Sequence, residues 1–196
     1  MTTLVPGPVR RVLASSAALL VLLSACDRSR GGAVKGEWAP TTVGGLTLAS
    51  PGRLVAITTE VPAAMDPAVR QAVKRIDSFG RTEGDVEMRV SRVIYEPTAA
   101  LSLQGSAQGA VDAVRGNPAV TRFTHAHAGV QTSGIPAIRT SMNFFVRDTR
   151  AQGEMLTVLR GQTLWQVQVL GPATPQTDSM ATRILDSVQL APEPQG

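Results

Sequence analysis

The chain has 196 residues, 43% of them hydrophobic in type, with 19 Lys and Arg against 15 Asp and Glu and a net charge of +4. That length holds one domain with a core of its own. The near-balanced charge, with arginines spread from Arg53 to Arg183, excludes the clustered basic footprint of a nucleic-acid-binding protein, and the single cysteine, Cys26, excludes an intrachain disulfide.

At the N-terminus, Arg10 and Arg11 precede an apolar stretch over 12–23 that only Ser15 and Ser16 interrupt, and Ser24 and Ala25 place small residues ahead of Cys26. Basic region, apolar stretch and small-residue cleavage site are the parts of a secretory signal. The stretch is too short for the ~20 residues that a spanning helix needs. Leu23-Ser24-Ala25-Cys26 resembles the lipobox of bacterial lipoprotein precursors, with Leu23, Ala25 and Cys26 matching in order, and the resemblance covers residues 1–26. It implies cleavage after Ala25, lipidation of Cys26 and further acylation of the new amino terminus. At ~0.8 kcal/mol per buried methylene, one acyl chain anchors marginally and two hold stably. The implied location is export to a cell membrane. Asp27 stands where some Gram-negative relatives carry an inner-membrane retention signal, which favours the outer leaflet of that membrane. Residues 26–42 then read as lipidated cysteine and flexible tether, because 27–37 is too polar and glycine-rich to repay its ordering entropy. Fully extended, 27–37 reaches about 36–40 Å.

A domain over 43–190 follows, with 191–196 a disordered tail. Strands are predicted over 45–49 and 54–59. Asp66 and Pro67 suit the N-cap and first position of a helix whose apolar face is Val69, Ala72, Val73 and Ile76. Strands over 78–82 and 86–95 join through Glu83-Gly84-Asp85. Alternation holds from Val86 to Ser91 and then breaks, which predicts a bulge near Ser91 or Arg92. A second helix spans 106–115 with Ala107, Ala110, Val111 and Val114 inward and Gly116 at its C-terminus. Strands over 121–128, 138–147, 155–160 and 164–170 come next, the last two joined by a hairpin at Gly161-Gln162. In the last, Trp165, Val167 and Val169 alternate with Gln166 and Gln168, the pattern of a half-buried strand. A third helix over 175–188 presents Met180, Ile184 and Val188. The fold class is therefore α+β, an antiparallel sheet covered by helices in an α/β/α sandwich-like arrangement.

Three stretches together resemble a PsbP-like (Mog/PsbP-type) domain across most of 43–190: Leu46-Thr47-Leu48-Ala49-Ser50-Pro51-Gly52, Leu159-Arg160-Gly161-Gln162-Thr163-Leu164-Trp165 and Ile184-Leu185-Asp186-Ser187-Val188. The resemblance implies a non-enzymatic protein that binds other proteins or assists assembly of membrane complexes. It transfers no site residue.

Chemistry-bearing motifs are sparse. His125 and His127, the only histidines, lie two apart on a predicted strand and so share a face. A metal would need a third ligand, with Asp148 or Glu154 the candidates, and two solvated polar residues are the simpler reading. No Gly-x-Ser-x-Gly elbow occurs, since Gly105-Ser106-Ala107-Gln108-Gly109 has its serine one place early, and dinucleotide and phosphate-loop fingerprints are absent. Asp85, Glu87 and Arg89 form a row that reads as a solvated charged face. Trp165 and Phe144 are in phase with core residues. Phe145 is in the opposite phase and, with Trp38, is the candidate partner surface. The sequence thus predicts a non-enzymatic, exported, lipid-anchored binding or assembly module, with the membrane and a protein as partners, no nucleic acid and no cofactor. The alternative is a small-ligand or metal-binding lipoprotein with a pocket near His125 and His127, and a hydrolase-type enzyme is third.

Overall fold

A computed structural model of the protein describes residues 37–58 and 67–192. The signal, Cys26, residues 27–36 of the tether, the Asp66 cap and 193–196 lie outside the described residues.

β1 (Ala39–Val43) starts inside the stretch that composition assigned to the tether, so folded structure opens before residue 43. It turns through Gly44 and Gly45, both at positive φ, into β2 (Leu46–Ser50), where glycine adopts that backbone without a Cβ penalty. β3 (Val55–Ile57), α1 (Pro67–Ala72), β4 (Val73–Glu83), β5 (Val86–Tyr95) and α2 (Leu103–Arg115) follow. Then come β6 (Val120–Thr132), β7 (Ile135–Val146), β8 (Thr149–Arg160), β9 (Thr163–Pro172), α3 (Pro175–Asp186) and β10 (Gln189–Leu190). The strands form two sheets, ordered β1-β2-β10 and β3-β4-β5-β9-β8-β7-β6. Every described pairing is antiparallel.

Alternation gives the larger sheet two faces, and both are covered. On one, Met88, Val90, Leu156, Val158, Trp165, Val167 and Val169 meet Leu46 and Leu48 of β2 and Ala181, Ile184 and Leu185 of α3. The cover on this face is therefore half helix and half sheet, where helices alone were expected. Trp165 lies in this layer at 4% exposure, and its indole Nε1 donates to the Gly44 carbonyl at 3.3 Å, which satisfies its one donor. On the opposite face, α2 sets Ala110, Val111 and Val114 on Met142, Phe144, Met155 and Leu170. Beside it, Val93, Tyr95 and Leu164 form a smaller cluster with Ala72, Val73 and Ile76.

Two-sided burial explains where pattern reading went astray. The pairing of β5 with β4 and β9 runs without a shift through Ser91 and Arg92, so the expected bulge is absent. Val93 and Tyr95 continue the phase of Ser91, and that face turns apolar where the third cluster covers it. Likewise Gln166 and Gln168 are only 4% and 7% exposed, so β9 is buried on both sides. The helix predicted through Ile76 stops at Ala72, and Val73 and Ile76 pair instead with Tyr95 and Val93. Six residues are too few for a helix to stand alone, and β-branched side chains gain more in a ladder. α2 starts earlier than predicted, because Ser102 rather than a later residue caps it: its Oγ accepts from the Gly105 amide at 3.2 Å. Ser187 ends α3 before Val188, its hydroxyl donating to the Ile184 carbonyl at 2.7 Å and accepting from the Ala49 amide at 2.8 Å.

Candidate functional site

The two histidines lie where α2 crosses the outer strand of the larger sheet. Both project from β6 on the α2 face, their rings 5.0 Å apart. Antiparallel register sets His127 opposite Thr140 of β7, and the helix brings Gln108 over it. The Gln108 amide nitrogen donates to Asp112 Oδ1 at 2.9 Å, which turns its carbonyl oxygen towards His127 Nε2 at 3.3 Å. With the Nε2 proton spent on Gln108, Nδ1 accepts from the Thr140 hydroxyl at 2.9 Å. Burial, and then the neighbouring His125, hold the His127 pKa below the ordinary imidazole value. His125 Nδ1 has the Arg115 guanidinium at 3.4 Å, and Arg115 also lies over the Phe123 ring, which stacks on Phe144.

This arrangement bridges strand to helix and suits a neutral His127. Among the described residues, no three His, Cys, Asp or Glu side chains come together as a metal site. Of the two candidate third ligands, Glu154 is committed to Arg139 at 2.7 Å, and Asp148 occupies the β7–β8 turn at positive φ.

Beneath α2 the same face carries a buried polar layer that sequence reasoning missed. The Ser78 and Ser91 hydroxyls meet at 3.2 Å, and Gln166 Nε2 donates to the Ser106 carbonyl at 3.4 Å. Thr140, Thr157 and Gln168 are buried around them. Arg89 joins the layer at 9% exposure with Glu87 at 3.2 Å, which corrects the expectation of a solvated charged row. The Ser106 hydroxyl, the Thr157 hydroxyl and Arg89 Nε are buried with no hydrogen-bond partner. Ser106 is an interior residue of α2, and His127 on the same sheet face is engaged with Gln108 and Thr140. The signal for this layer was the serine-glutamine-threonine content of strands whose other face is aliphatic.

On the opposite side of the molecule, a groove of about 540 Å³ opens between β1 and the β3–β4 edge. Ala39, Val43, Leu54 and Phe79 give it an apolar floor, and Glu37 and Arg53 stand at its rim. Val55, the next residue along, is 66% exposed, the one large hydrophobic so exposed among the described residues. A second, smaller cleft of about 130 Å³ lies under α3, lined by Asn143, Gln152, Glu154 and Asp178. The two aromatics expected to form a partner surface are both half-buried, and each lies under an arginine. Arg183 stands 3.9 Å from the centre of the Trp38 ring, and Arg122 stands 5.0 Å from that of Phe145. The one exposed large hydrophobic among the described residues is Val55, not either of these rings.

No family model matches the chain, and no curated protein matches it. Among solved structures it is similar to the solution structure of cyanobacterial PsbP (CyanoP) from Synechocystis, at 14% identity, covering 83% of this chain and 97% of that one with a TM-score of 0.49. It is also similar to the crystal structure of a Pseudomonas aeruginosa protein of unknown function, at 12% identity, covering 82% of this chain and all of that one with a TM-score of 0.38. The first belongs to the family that the three sequence stretches resemble. Likeness at these levels carries no functional argument.

Proposed function

We propose that the chain is an exported lipoprotein, held at a membrane through Cys26, whose domain binds a membrane-associated protein and performs no catalysis. The observation that carries this reading is the groove beside β1. Its floor is apolar, and Glu37 at its rim adjoins the tether that leads to Cys26. A surface at that point is the part of the domain tethered nearest to the lipid, and a partner there is one already at the membrane. Opposite charges at the rim, Glu37 and Arg53, supply orientation while the floor supplies area.

The test is a pull-down from native membranes with the anchored chain as bait, read by mass spectrometry, in parallel with Ala39→Glu, an exposed residue that lines the groove. A charge on an exposed side chain leaves the fold intact, so the melting temperature stays that of the natural chain. Recovery of the specific partner drops at least tenfold, which corresponds to about 1.4 kcal/mol. An identical partner set with Ala39→Glu overturns the groove as the binding surface. Recovery of no protein but a tightly retained small molecule overturns the reading altogether.

A further inference from the structure

The larger sheet ends in two strands that are treated very differently. At one side β3 has 3 residues, the short edge by which proteins discourage pairing. At the other, β6 has 13, and no described strand pairs with its outer edge. From Thr124 to Thr132 its pairing with β7 runs without a shift, so the outer backbone groups stand in regular array. That stretch, Thr-His-Ala-His-Ala-Gly-Val-Gln-Thr, contains no proline and no charged residue. Ala126, Ala128 and Gly129 are exposed along it, small enough for another backbone to approach. The single bulge, at Arg122 and Phe123, guards one end only.

We infer that two copies of this chain pair antiparallel through the outer edge of β6, about a two-fold axis near Ala126 and Ala128, into one continuous sheet. Charge selects the occupant. The strand has one charged residue, Arg122, and antiparallel self-pairing places it opposite the uncharged far end of the partner strand, around Val130 to Thr132. Parallel pairing would set Arg122 against its own copy. Across the axis, alanines of both copies face each other on the α3 side. On the α2 side His127 meets its counterpart, and His125 comes opposite Gly129 of the other copy. An isologous contact of this kind is closed, so it yields a dimer and not a fibre. An unrelated extended peptide gains backbone bonds there but little selectivity, because β6 lines neither the groove nor the cleft described above.

Sedimentation velocity on the full chain in detergent, with Ala126→Lys/Ala128→Lys alongside, tests this. The natural chain sediments as a dimer. The double variant keeps its melting temperature and sediments as a monomer, its dissociation constant raised at least tenfold by four lysines around the axis. A natural chain that stays monomeric at high micromolar concentration overturns the inference, as does a lysine variant that still dimerises. Should the variant fail to fold, cysteine trapping in a Cys26→Ser background decides. The double variant Ala126→Cys/Ala128→Cys cross-links to a dimer under mild oxidation, since Ala126 stands directly opposite Ala128 of the other copy and directly opposed residues lie within disulfide reach, and Val55→Cys does not. Absence of that positional preference overturns the inference equally.

Discussion

Each ring nitrogen of His127 meets a neutral group, and this gives the residue a pH dependence with a definite sign. Burial and His125 lower its folded-state pKa, so the unfolded chain takes up the proton more readily. The stability gained is complete above the unfolded value of ~6.5 and is lost as pH falls through the lower folded value. Protonation places a donor on Nδ1, so the Thr140 hydroxyl must reverse its bond, and Thr140 is fully buried. The site is partly open to solvent, which screens the effect to under ~1 kcal/mol, roughly 2–4 °C in melting temperature for a domain of this size. Scanning calorimetry between pH 7.5 and 5.5 therefore shows a fall for the natural chain that is smaller in His127→Gln. Equal slopes would remove His127 from the account. That the two histidines share a face was legible in their spacing, because strand periodicity is local. Their partners Thr140 and Gln108 were not, since strand register and helix docking set them across 13 and 19 residues of sequence.

At the scale of elements, the junction of α3 with the small sheet shows one side chain finishing two structures at once. β10 pairs with β2 only at Gln189↔Thr47 and Leu190↔Leu46. The next β2 amide, Ala49, lies beyond that ladder, and Ser187 Oγ takes the missing acceptor's place while its own proton caps the Ile184 carbonyl. Ser187→Ala removes both bonds and leaves the Ala49 amide without that acceptor, at a cost of about 1–3 kcal/mol. Urea unfolding reads this as a lower midpoint with an unchanged slope, and Ser187→Thr recovers most of it. A Ser187→Ala change below ~0.5 kcal/mol would mean that water serves the amide equally well. Aliphatic spacing and caps are local signals, so the sequence foretold the place of β2 to β9 and of all three helices, while β4, β6 and β8 run well beyond the predicted 78–82, 121–128 and 155–160. The sequence failed where a second layer intervened: at Val73 and Ile76, where ladder pairing outcompeted helical spacing, and at Arg92 to Tyr95, where a covered second face mimicked a bulge. β1 and β10 escaped notice because short polar strands acquire their identity only from β2 between them.

For the whole molecule, the proposed function separates anchoring and binding into independent parts joined by a tether, and this makes the lipid itself testable. A diacylglycerol on Cys26 buries many methylenes at ~0.8 kcal/mol each, whereas a single chain holds only reversibly. No helix among the described residues is long and apolar enough to cross a membrane. On the proposed reading, attachment rests on one sulfur atom. Cys26→Ser moves the protein from the membrane fraction to the soluble one, or leaves an uncleaved precursor whose mass retains residues 1–25. Fractionation with intact-mass spectrometry distinguishes these outcomes, and a mature, membrane-bound Cys26→Ser protein defeats the lipoprotein reading. The released chain answers a second question in the same preparation. The groove belongs to the folded domain and not to the anchor, so soluble Cys26→Ser protein still captures the partner when that partner is supplied in detergent, and still loses it on Ala39→Glu. Loss of capture with Cys26→Ser alone would mean that the lipid, and not the groove, holds the complex together.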